Sequence, residues 1–236
     1  MYGCKVMTSL NLLSWNVAGL ERHGNSIYSH LKGADFVCLQ ETWVSTFIPI
    51  QGYHGYSSPA SKTCLFGRPS GGLATYVSFK SNIQIEKVEG APSNIQVFRL
   101  KNIILQNKTK TCLLINCYYN GLGAEKKRIV EKSVFYMKSL FAEYAAHEVI
   151  MVGDFNMRGL GGTHTINGPA ATFRTHLNQH SLTSVRQFWE EQMGVKILLM
   201  TFRDISIIDY IFCSNVLLDS LAGFSVEKKK ESDHNS

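Results

Sequence analysis

No stretch of 18 or more apolar residues occurs in this chain, so no segment has the length and apolarity of a membrane-spanning helix. There is no CxxC pair and no cysteine–histidine spacing of a zinc site among the cysteines at 4, 38, 64, 112, 117 and 213. Several of these lie in apolar runs (FVCLQ, CLLINC, YIFCS), as small buried thiols of a reducing compartment do, which excludes a disulfide framework. The Asn107-Lys108-Thr109 sequon then carries no weight. The opening MYGCKVMTSLNLLSWN has one lysine and no sustained apolar core before a small-residue cleavage site. No secretory signal is expected, and an intracellular protein is. Internal repeats and low-complexity linkers are also lacking.

What is there fits one large domain spanning residues 1–236, with 44% hydrophobic and 18% charged residues. The formal net charge of +6 permits a polyanionic partner without requiring one. The local clusters Lys126-Lys127-Arg128 and Lys228-Lys229-Lys230 read as solvated faces. Short apolar runs rich in β-branched and aromatic residues recur at 10–15, 35–40, 72–79, 95–100, 102–106, 112–119, 148–153, 197–202 and 207–213. The segment 52–68 reads as turn-like. A three-four apolar spacing (Val130, Val134, Met137, Phe141, Tyr144) predicts a helix over 124–146, with shorter helices at 26–32, 172–179 and 183–192. The strand-only stretch from 64 to 119 argues for two stacked sheets with helices outside, against a doubly wound α/β sheet.

The pentapeptide VGDFN (152–156) follows an apolar run with a glycine, an acid, an aromatic and an amide. In an extended chain Asp154 and Asn156 share a face, which suits a metal, a phosphate or a water. An Asx turn closing the strand is the structural alternative. Other strands end alike: SWN at 14–16, LQET at 39–42, YYN at 118–120, IDYI at 208–211 and SDH at 232–234. Each alone has an ordinary explanation, Asn16 as a cap, Glu41 as a surface carboxylate and His234 as an exposed histidine. The ordered set is specific.

This series resembles the endonuclease/exonuclease/phosphatase superfamily over essentially the whole chain. MTFRDISIIDYIFCS and GGLATYVS further resemble the endonuclease domains of LINE-type (non-LTR) retrotransposons. The resemblance implies a four-layer α/β sandwich of two packed mixed β-sheets flanked by helices, deoxyribonuclease I-like, and an N-terminal domain of a longer polyprotein. It implies Mg²⁺, with Mn²⁺ as a substitute, held by Glu41, Asn16 and Asp233, and no organic cofactor. It implies catalytic roles for Asp154 (aligning or deprotonating water), Asn156 and Tyr118 (donors to phosphate or water), His234 (phosphate contact) and Asp209 (orienting His234). Thr201, Ser232, Arg158 and Arg203 would bind substrate. The implied partners are double-stranded DNA and the polyprotein's reverse transcriptase domain, with no membrane, and the site of action is the nucleus.

Three departures stand out. Relatives often carry Tyr-x-Pro-Asn where this chain has Tyr118-Tyr119-Asn120-Gly121, which leaves the active tyrosine open between the first two. Ile207 stands where relatives often have arginine. The Gly-rich 158–169 reads first as a plain flexible connection and second as a DNA contact. The function expected is nicking of one DNA strand to leave a 3′-hydroxyl that primes reverse transcription. An AP-site endonuclease is the alternative, with Phe188, Trp189 and Phe202 as candidates for a sugar pocket, although such aromatics more often belong to a core. A catalytically inactive nucleic-acid-binding module is the alternative from another class, and the complete set of polar residues argues against it.

Overall fold

The structure is a computed structural model describing residues 10–61, 69–81, 83–105, 108–162, 165–194, 196–197 and 207–227. Two mixed sheets form it. The first has the order β1 (Leu12–Asn16), β2 (Phe36–Gln40), β4 (Leu73–Ser78), β3 (Tyr53–Ser58). The second runs β5 (Gln84–Val88), β6 (Ile95–Leu105), β7 (Lys108–Tyr118), β8 (Glu148–Asp154), β10 (Asp209–Ser214), β9 (Leu182–Ser184). The pairs β1–β2 and β7–β8 are parallel and the others antiparallel.

Alternation along the strands builds the layers, because successive side chains point to opposite faces. Phe36 and Cys38 of β2 meet Cys112 and Leu114 of β7 and Ile150 and Val152 of β8 between the sheets. Val37 and Leu39 face outward instead, under Trp15, Tyr76 and helix α1 (Ile27–Leu31). On the far side, Leu113, Ile115 and Met151 pack against helices α2 (Gly123–Glu143) and α3 (Gly168–Gln179) through Val130, Met137, Phe141, Phe173 and Leu177. Helix, sheet, sheet, helix is the four-layer sandwich the motifs imply. Cys38, Cys112, Cys117 and Cys213 are free and buried, and burial pushes the Cys38 and Cys213 thiols up to about 12, so they remain inert packing groups.

The sequence reading misses three strands. The turn-like 52–68 contains β3, whose YHGYSS lacks an alternating apolar signal and is held as an edge by pairing to β4. Charged β5 is an edge strand, its Glu86 close to Arg99 and Lys101 of β6. The expected helix at 183–192 begins later, as α4 (Val185–Met193), after Ser184 caps it and Thr183 pairs in β9. The runs 95–100 and 102–106 form one strand bent at a bulge, where Asn102 takes φ 64°. Most of the expected strand 197–202 lies outside the described residues. Among the described residues no helix is long and apolar enough to cross a membrane.

The core also holds a buried histidine. His176 of α3 stacks flat on Phe141 at 5.5 Å and touches His180 at 4.6 Å, with neither ring nitrogen hydrogen-bonded. Burial, then the charges of His180 and Lys138, push it down to about 4. The folded state keeps this ring neutral while the unfolded chain protonates it near 6.5. Its contribution is therefore complete above about pH 6.5 and lost as pH falls toward 4, at most about 3 kcal/mol. We expect His176→Phe to flatten the fall in urea midpoint between pH 7 and pH 4. Equal slopes for variant and wild type would refute this.

Candidate active site

The candidate residues sit where the inter-sheet rows run out at one edge. In β7 the row Cys112, Leu114, Asn116 ends in Tyr118, and in β8 the row Ile150, Val152 ends in Asp154. Tyr118 pairs in register with Asp154, and Asp209 pairs with Asp154 from β10. Paired residues share a face, so the three form a line across the second sheet. From the first sheet, Asn16 ends β1 opposite Gln40, and Glu41 follows β2.

A buried polar seam fixes the two halves together. Gln40 Nε2 donates to Asn116 Oδ1 at 2.7 Å, and Asn116 Nδ2 donates to Thr75 Oγ1 at 3.2 Å and to the carbonyls of Leu39 and Ala74 at 3.3 Å. Thr75 Oγ1 donates to Gln96 Oε1 at 2.9 Å. All four side chains are buried, and the sequence reading assigns none of them a role.

Asp154 is fully buried. Its carboxylate accepts from Asn16 Nδ2 at 2.9 Å, Asn156 Nδ2 at 3.0 Å and Asn156 N at 2.8 Å, the kind of satisfaction a buried charge requires. Asn16 Nδ2 also donates to Glu41 Oε1 at 3.0 Å, and Trp43 Nε1 donates to Glu41 Oε2 at 3.0 Å. Asn16 Oδ1 accepts from Ala18 N at 3.1 Å. Its amide therefore acts as a donor between two carboxylates, which places Asn16 beside Glu41, the carboxylate the motif assigns to the metal. The extended geometry expected for VGDFN differs. The strand stops at Asp154, and Asn156 turns back at φ 49° to close an Asx turn on it. The Asx turn, the structural alternative for the pentapeptide, is the geometry found.

Gly153 makes this possible. It has φ 140°, and a Cβ there would lie 1.9 Å from the Cys117 carbonyl oxygen, so only glycine allows β8 so close to β7.

Burial, followed by the charges of Glu41 and Asp154, pushes the Tyr118 phenol well above its ordinary range, so it remains a neutral donor. Tyr119 faces the other way, stacked on Phe155 in the core, which selects Tyr118 of the two. Lys126, in the first turns of α2, donates to the backbone carbonyl of Asn156. Burial lowers its pKa while nearby Asp154 raises it. The sequence places it in a solvated cluster with Lys127 and Arg128; helical spacing alone gives no sign that this one lysine turns inward. Arg22 lies over the Trp43 ring at 6.0 Å.

Arg158 is exposed in the turn after β8. The described part of that Gly-rich segment is tied down, with Arg174 donating to the carbonyls of Gly159 and Gly162, unlike the plain connection expected. Phe188 packs against the inter-sheet core. Thr201, Phe202, Arg203, Ser232, Asp233 and His234 lie outside the described residues. Among the described residues no group of three or more His, Cys, Asp or Glu side chains is placed to chelate a metal. Glu41, half-buried with one N–H donor on each oxygen, suits a hard cation that keeps most of its waters and takes one or two carboxylates.

Two packed mixed sheets with a polar site at the edge of their interface define a deoxyribonuclease I-like sandwich. The chain belongs to the Endonuclease/Exonuclease/phosphatase family, whose sequence profile matches residues 13–234. Among solved structures, the Xenopus laevis APE2 catalytic domain is similar, with TM-score 0.67, 18% identity, and 95% of this chain and 89% of that one covered. The endonuclease domain of TRAS1, a telomere-specific non-LTR retrotransposon, has TM-score 0.67 and 18% identity, covering 96% of this chain and 94% of that one. An AP endonuclease from Archaeoglobus fulgidus has TM-score 0.65 and 16% identity, covering 96% and 97%. At such identities the likeness establishes the fold. No curated protein matches the chain in sequence.

The seam makes a direct prediction. Asn116→Leu takes from Gln40 Nε2 its shortest bond and from Thr75 Oγ1 and the carbonyls of Leu39 and Ala74 an N–H donor, at a cost of about 1–3 kcal/mol. Gln40→Leu removes the same Gln40–Asn116 bond, so the double variant should lose less than the two single losses summed. Urea denaturation measures both; a single variant within 1 kcal/mol of wild type would contradict the role given to the seam.

Proposed function

We propose that the chain is a divalent-metal-dependent DNA endonuclease that nicks one strand and leaves a 3′-hydroxyl. The observation that carries this is the buried Asp154 carboxylate, held by three N–H groups at the mouth of the sheet interface, beside a neutral Tyr118 phenol. Asp154 aligns a water on the scissile phosphate and takes its proton. The water oxygen bonds to phosphorus, the bond from phosphorus to the 3′ oxygen breaks, and that oxygen is protonated to the 3′-hydroxyl while the phosphate stays on the 5′ side. Asn156 and Tyr118 donate hydrogen bonds to phosphate or water.

Lys126 adds a cation beside Asp154, offsetting the repulsion between carboxylates and phosphodiester. His234 contacts the phosphate and Asp209 orients it, while Thr201, Ser232, Arg158 and Arg203 bind the DNA. Mg²⁺, with Mn²⁺ as a substitute, would be held by Glu41 and Asp233, and when bound it supplies charge stabilisation at the phosphate.

The SIIDYI and GGLATYVS segments and the likeness to the TRAS1 endonuclease domain support a retrotransposon setting. There the nick primes synthesis by a reverse transcriptase domain of the same polyprotein, in the nucleus. The second reading, an AP-site endonuclease, is favoured by comparable likeness to an AP endonuclease fold.

Supercoiled plasmid, an intact duplex and an AP-site duplex, each with Mg²⁺ or EDTA, test the proposal. We expect metal-dependent conversion to nicked circles, reduced about 10²-fold or more by Asp154→Ala. Cutting of the AP duplex alone would replace the first reading with the second. Cutting of neither by folded protein would end the nuclease claim. In the same assay Lys126→Met should slow nicking about tenfold through kcat, with Lys126→Arg restoring much of the rate; an unchanged Met variant removes Lys126 from the site.

A further inference from the structure

Four residues past Tyr118 the chain exposes a large apolar side chain. Leu122 is 88% exposed, more than any other large hydrophobic among the described residues. Scattered exposed leucines are ordinary, but this one has a fixed place. It sits in extended conformation (φ −130°, ψ 157°) between Gly121 and Gly123, whose φ values are 88° and 54°. Two glycines in the left-handed region turn the backbone on either side of it, so that Leu122 projects from the loop.

Both ends of the loop are tied to the candidate site. Tyr118 closes β7 opposite Asp154, and Lys126, one turn into α2, is bonded to the Asn156 carbonyl. Lys127 and Arg128 follow and are exposed, as is Asn120 before it. An apolar tip with cations behind it, on the rim of a phosphodiester site, matches the two chemistries of duplex DNA. Lysine and arginine meet the phosphates, and a branched apolar side chain fits between base pairs.

We propose that Leu122 is a wedge that enters a base step beside the scissile phosphate and holds the duplex open or bent there. The proposal rests on the nuclease reading and deepens it: substrate choice would follow the ease of unstacking a step, with preference for flexible pyrimidine–purine steps. Leu122 touches none of the reacting atoms, so its effect should be confined to substrates with a base stack.

Wild type, Leu122→Ala and Leu122→Phe are compared on three substrates: an intact duplex, the same duplex with a bulge at the cut site, and bis(p-nitrophenyl) phosphate. For Leu122→Ala we expect about tenfold or greater loss on the intact duplex, less on the bulged one, and none on the small phosphodiester. Leu122→Phe should retain cleavage. A 2-aminopurine placed at the step should brighten on binding to the Asp154→Ala protein and not to the protein carrying both Asp154→Ala and Leu122→Ala. Wild-type rates for Leu122→Ala on intact duplex, or equal losses on all three substrates, would overturn the wedge. Wild-type protein that cleaves none of the three overturns the nuclease reading, and the wedge with it.

Discussion

Everything at the candidate site depends on the hydrogen bond between Gln40 and Asn116, one from each sheet. Two sheets packed through apolar side chains alone can slide, because dispersion and burial are nondirectional. A buried amide pair cannot. A shift of one residue would break the Asn116 bonds to Gln40 and Thr75 and the Thr75 bond to Gln96, and each buried group left unsatisfied costs about 1–3 kcal/mol. The seam therefore fixes the stagger of β2 against β7. Glu41 is one residue beyond Gln40 and Tyr118 two beyond Asn116, so the same stagger sets how the two halves of the site meet.

Backbone strain gathers at the same edge. Ala18, Glu41, Trp43 and Asn156 all have φ between 47° and 56°, a region that costs non-glycine residues about 1–3 kcal/mol each where nothing compensates. Asn156 is compensated by its bonds to Asp154, and the others by a set of backbone bonds that continue the first sheet's pairing beyond its strands. Val17 N donates to Gln40 O, Gly19 N to Glu41 O, Leu20 N to Thr42 O and Trp43 N to Gly71 O, at 2.8–3.0 Å. The loops at the site are held as firmly as strands, which is the preorganisation that a carboxylate fixed before substrate arrives requires.

Much of this was legible in the chain. The alternation in CLLINCY places Asn116 and Tyr118 on one face, and GDFN plus LQET announce the two carboxylates. The strand pattern pointed to two stacked sheets with helices outside and the motif series to the four-layer sandwich, while β3 and β5 were missed because edge strands bury too little to carry an alternating pattern. Three features could not be found from the sequence. The Gln40–Asn116 bond joins positions 76 apart in the chain, and nothing local signals it. Lys126 looks like its neighbours Lys127 and Arg128 until the helix direction is known. Trp43, with its indole N–H on Glu41, lies in a loop without any period.

Asn16 shows why the residue type, and not merely polarity, matters at such a place. Glu41 and Asp154 are brought to within one side chain of each other from different sheets, and two ionised carboxylates there repel. A third acid at position 16 would worsen this, and a leucine would take one N–H donor from each carboxylate. A carboxamide has two N–H bonds, and here one goes to each carboxylate, at 3.0 and 2.9 Å. Its oxygen accepts from the Ala18 N–H, which fixes the amide's orientation, since exchanging N and O would set oxygen against both acids. Asn16 thus holds two like charges together without adding one.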